Sequence, residues 1–94
     1  MNCIFRMANE NDAILFWIVF EGEVNTCRAF WNNHPDRFFL PEREVEIINH
    51  HWNQLEELIL RCELTDQACQ EATAKFRNIG VIIDAALFEN KKQS

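Results

Sequence analysis

Apolar positions recur along this chain at intervals of three and four residues. Val45, Ile48, Trp52, Leu55, Ile59 and Cys62 are separated by 3, 4, 3, 4 and 3, the seam of an amphipathic helix. Pro41 suits a first helical position, and Glu42, Glu44 and Glu46 come next, where the helix dipole favours anions. The pattern predicts a helix over residues 41–63. Cys69, Ala72, Phe76, Ile79, Ile83 and Ala86 repeat the same spacings. They predict a helix over 65–90, capped by Thr65 or Asp66. Gly80 falls inside that seam and permits a kink or a close helix contact, at about 1 kcal/mol relative to alanine.

The block Ala13–Phe20 is apolar at every position. It is too short to cross a bilayer, which takes about 20 apolar residues, and it lacks the basic flank and cleavage site of a secretory signal. The residues after it decide how it folds. Trp17, Phe20, Val24, Cys27 and Trp31 are spaced 3, 4, 3 and 4, so one seam runs through the block and on past Gly22. This predicts a helix over residues 12–31. The alternative is a hairpin of Cys3–Ala8 with Ala13–Phe20, broken at Glu21-Gly22-Glu23.

Three such helices imply an all-α fold, an antiparallel bundle forming one domain over residues 1–94. Only two glycines and two prolines punctuate the chain, too few for a turn-rich β fold. Apolar residues also lie off the seams: Ile14, Leu15, Ile18 and Val19, then Val81, Ile82, Ala85 and Phe88. A lone bundle leaves these wet. The expectation is a homodimer with Ile14, Ile18, Ile82 and Phe88 in its interface.

Charge narrows the choice of partner. The formal net charge is −6. Between Glu42 and Glu71 eight acids oppose only Arg43 and Arg61, while acids and bases balance elsewhere. The central helix and the start of the next therefore hold the whole excess. Such a face repels phosphates and attracts basic protein, which makes Glu42, Glu46, Glu56, Glu57 and Glu63 the candidate partner-binding residues.

Chemistry-bearing residues are sparse. Cys27, Cys62 and Cys69 fall on seams, where free cysteine behaves as a small hydrophobe. His50 and His51 are adjacent, hence about 100° apart on a helix, and cannot jointly hold one metal. No C-x-x-C, H-E-x-x-H or glycine-rich phosphate loop is present. No catalytic, cofactor or metal site is expected.

One tripeptide stands apart. His34-Pro35-Asp36 lies between two predicted helices and is followed by Ile48-Asn49, Trp52 and Leu55. Over about 22 residues this resembles the HPD turn and following helix of J-domains, the co-chaperones that stimulate the Hsp70 ATPase. The resemblance implies a co-chaperone adaptor acting through His34 and Asp36. J-domains carry basic residues ahead of the turn and usually an aromatic directly before the histidine; here Val24–Asn33 holds only Arg28, and Asn33 precedes His34. Local chemistry gives a second account, in which Pro35 stops a helix and Asp36 makes an Asx-type bond.

The expectation is a small, acidic, cytoplasmic, non-catalytic protein of the inhibitor, immunity or anti-defence type. It neutralises a basic partner (a toxin, a nuclease or a nucleic-acid-handling enzyme), acts as a dimer, and contacts neither nucleic acid nor membrane. The alternatives are the J-domain-like adaptor and an acidic DNA mimic.

Overall fold

The computed structural model describes residues 10–93. The elements are α1 (Glu10–Asn32), a 3-10 turn (Pro35–Phe39), α2 (Glu42–Arg61) and α3 (Asp66–Gln93). No strand occurs among the described residues. The described residues form an all-α bundle of three helices, as the seams predict. Ala13–Phe20 is helical, which removes the hairpin alternative; the other arm of that hairpin, 3–8, lies outside the described residues.

Why α1 runs through Gly22 is a matter of packing. Trp17 and Phe20 before the glycine and Val24 and Trp31 after it are all buried on one side. Fixing that seam against two neighbouring helices outweighs the roughly 1 kcal/mol that one internal glycine costs. Thr26 adds a bond from its hydroxyl to the Gly22 carbonyl at 2.9 Å.

The helix ends differ from the sequence expectation by one to three residues. Pro41 sits just outside α2, where its carbonyl accepts from the Glu44 and Val45 amides. α2 stops at Arg61, and Cys62 takes a left-handed conformation with φ 48°, a helix-terminating geometry usually supplied by glycine. Thr65 caps α3, its hydroxyl accepting from the Ala68 amide at 3.1 Å.

α2 and α3 form the most extensive helix pair, with α1 laid across them. The Trp17 indole donates to the Glu63 carbonyl at 2.9 Å, and Arg28 reaches Asn53 and Glu56. The start of α1 therefore meets the end of α2, so the two are antiparallel. A chain of rings joins all three helices: Trp17 to Phe20 at 5.9 Å, Phe20 to Phe76 at 5.6 Å, and Phe76 to Trp52 at 6.3 Å. Ile48, Leu55, Cys69, Ala72 and Ile79 fill the space beside it. The result is elongated, 50 × 26 × 17 Å. No described helix is long and apolar enough to cross a membrane.

One seam position departs from expectation. Cys27 is exposed. At its level α3 offers only Phe76 to an open cleft of about 500 Å³ that also touches Val19, Gly22 and Thr26. Cys62 is exposed as well, because it ends its helix instead of continuing it; Cys69 alone of the three is buried.

Candidate protein-binding surface

α2 buries Ile48, Trp52 and Leu55 and turns its opposite side to solvent. Glu42, Glu46, His50, Asn53 and Glu57 succeed one another along that side at spacings of 4, 4, 3 and 4, and all are exposed. From Glu42 to Glu57 the stripe runs about 22 Å at 1.5 Å per residue. Among the described residues no cation lies within salt-bridge distance of Glu42, Glu46 or Glu57. Glu56 sits on the edge facing α1 and pairs with Arg28 at 3.2 Å. With its side chains 30% and 57% exposed, that pair is screened by solvent and contributes little to stability. Glu63 is exposed in the α2–α3 link, away from the stripe. Three of the five predicted acids thus share a stripe, with Glu56 on its flank and Glu63 apart.

Between α1 and α2, Glu21, Asn25, Arg28 and Glu56 line a cleft of about 220 Å³ floored by Val24, Trp52 and Ile59. Leu60, 76% exposed, closes its end. Leu60 lies off the α2 seam, so periodicity gives no reason to single it out.

The apolar surplus is distributed unevenly. On α1, Leu15, Ile18 and Val19 are each at least 60% exposed and Ile14 is 42% exposed. Gly22, Thr26 and Ala29 continue this outer side, which carries no charge over about four turns. On α3, Phe88 and Val81 are exposed, but Ile82 is half-buried and packs against the core. Ile82 joins Ile47, Ile48, Ala85 and Ala86 in a groove of about 320 Å³ rimmed by Glu44 and Glu89. Of the four expected interface residues, Ile14, Ile18 and Phe88 are at the surface and Ile82 is largely a core residue.

His34-Pro35-Asp36 opens the 3-10 turn between α1 and α2. The His34 side chain caps the turn: its Nδ1 accepts from the Asp36 amide at 3.1 Å, which leaves Nε2 as the donor nitrogen of the ring. Arg37 lies over the Trp31 ring, 5.7 Å from its centroid. The last turn of α1 contains no basic residue, and Arg28, one turn further back, is engaged with Asn53 and Glu56.

His51 belongs to a different contact. Its Nδ1 is 2.7 Å from the Lys75 ammonium, which also donates to Gln54 at 2.7 Å. Burial lowers the His51 pKa, and the charges of Lys75 and His50 lower it further, against a smaller opposing effect of Gln54. His51 is therefore neutral at pH 7 and accepts from Lys75. Burial raises the Cys69 pKa, helped by Asp66 and Cys62, so its thiol stays protonated and unreactive. Among the described residues no three His, Cys, Asp or Glu side chains are grouped to hold a metal.

Comparison with protein-family models, with curated proteins and with solved structures finds no match to this chain. The functional reading rests on this surface alone.

Proposed function

We propose that this is a non-catalytic, cytoplasmic binding protein that blocks a basic protein partner by laying the outer stripe of α2 across it. One observation supports the reading above others: Glu42, Glu46 and Glu57 are exposed in a row with no cation of the described residues within salt-bridge distance. Like charges left unpaired on one helix face are a standing cost, and a basic partner removes it while gaining a faster encounter. Leu60 at the end of the stripe supplies an apolar anchor beside the acids. The uncharged outer side of α1 is a separate surface, and it supports self-association into a dimer that leaves the α2 stripe open. The test is to use the chain as bait in a lysate of its native cell and elute with rising salt. Basic proteins retained at low salt and released as charges are screened support the reading; the absence of any retained basic protein contradicts it.

A second reading, the J-domain-like adaptor, is favoured by one feature. The His34 imidazole is fixed to the Asp36 amide in a turn joining two antiparallel helices, the setting the resemblance implies. It is disfavoured by the uncharged end of α1.

A further inference from the structure

The α1–α2 turn gathers aromatic surface unlike the rest of the molecule. Phe30, Phe38 and Phe39 are 74%, 75% and 72% exposed. Next to Phe38 in the chain is a small cluster, in which Arg37 lies over the buried Trp31 ring and the His34 ring is 6.4 Å from it. Two donors of this cluster, Trp31 Nε1 and Arg37 Nε, are buried without a hydrogen-bond partner. Both atoms are covered by the chain's own atoms, so an acceptor from another molecule meets the other nitrogens of the Arg37 guanidinium, which are not among the buried, unpartnered atoms. Among the described residues no carboxylate lies within salt-bridge distance of Arg37 or of Arg43, at the start of α2.

We propose that this turn docks an apolar, carboxylate-bearing segment of a protein partner. Its apolar side chains pack on Phe38 and Phe39, and its carboxylate accepts from Arg37 beside Trp31. The preference is opposite in sign to that of the α2 stripe, so this is a second surface, independent of the acidic one. Single-stranded nucleic acid also combines ring stacking with guanidinium contacts. A run of phosphates leaving the turn meets Glu42, Glu44 and Glu46 on the next helix, however, whereas a single carboxylate does not.

The test is a titration of the full ¹⁵N-labelled chain, followed through the indole N–H signals of Trp17, Trp31 and Trp52. The probes are a capped hexapeptide of leucine, phenylalanine and aspartate, the same peptide with asparagine for aspartate, and a ten-nucleotide oligothymidylate. The acidic peptide shifts the Trp31 indole and the amides of 34–39 and leaves the Trp17 and Trp52 indoles in place. Removing the charge on either side, by the asparagine peptide or by Arg37→Gln, weakens binding about ten-fold, as for loss of a charged hydrogen bond. Phe38→Ser with Phe39→Ser abolishes binding; both side chains are exposed, and an unchanged Trp17 indole signal confirms that the variant is folded. No shift up to millimolar peptide, equal binding of the asparagine peptide, or binding of the oligothymidylate in place of the peptide overturns the proposal.

Discussion

Cys62 holds the only positive φ among the described non-glycine residues, 48°, a region that costs an L-residue about 1 kcal/mol or more. It is exposed, so little packing is lost with its side chain. Cys62→Gly is therefore predicted to stabilise the fold by about 0.5–1 kcal/mol, seen as a higher urea midpoint at unchanged slope. His51 sets a pH limit. Its folded pKa lies below its ordinary value of about 6.5, so the unfolded chain binds the proton more readily. Stability is complete above about pH 6.5 and falls as pH drops through the folded pKa. Melting temperature should drop between pH 7.5 and pH 5.5, and His51→Gln should flatten that drop. Neither residue could be read in this role from the sequence. Spacing put Cys62 on a seam and set His51 beside His50, but a backbone sign and a lysine 24 positions away in the chain are facts of three-dimensional placement. Cys27 shows the same limit, since a seam position is buried only if a neighbour reaches it.

At the scale of the element the sequence was more telling. The three seams located all three helices, because a 3–4 repeat records which side of each helix faces the core. The helix continued through Gly22 for that reason, despite local punctuation that suggests a break. Gly80 is also internal, exposed, and free of any neighbour within 4 Å of an added Cβ. No kink or close contact requires glycine there, and Gly80→Ala should raise stability by about 1 kcal/mol, measurable by thermal melt. The exposed Phe30, Phe38, Phe39 and Leu60 were not legible, because large apolar residues off a seam look the same whether they are buried by a turn or left in water. The 3-10 turn leaves Phe38 and Phe39 exposed while burying Leu40, and Phe30 is exposed on the last turns of α1.

The whole molecule presents three unlike surfaces: an uncharged outer side on α1, an acidic stripe on α2 and an aromatic turn between them. An apolar side with Leu15, Ile18 and Val19 in water favours a second copy. Light scattering should report a mass near twice 11.2 kDa, reduced to the single-chain mass by Leu15→Glu with Ile18→Glu at unchanged helicity. Because Ile82 packs against the core, charge introduced there should instead destabilise the fold, so Ile82 variants do not report on assembly. The central claim concerns the acidic stripe. Glu46 and Glu57 test it better than Glu56, whose reversal also breaks the pair with Arg28. The most direct measurement compares three baits in parallel from the native cell: the unmodified chain, Glu46→Lys with Glu57→Lys, and His34→Gln, with every retained protein quantified. If the α2 stripe is the binding surface, a basic protein retained by the unmodified chain is lost from the charge-reversed bait and kept by His34→Gln. Retention by the charge-reversed bait, with loss from His34→Gln, would contradict it and place the activity in the turn.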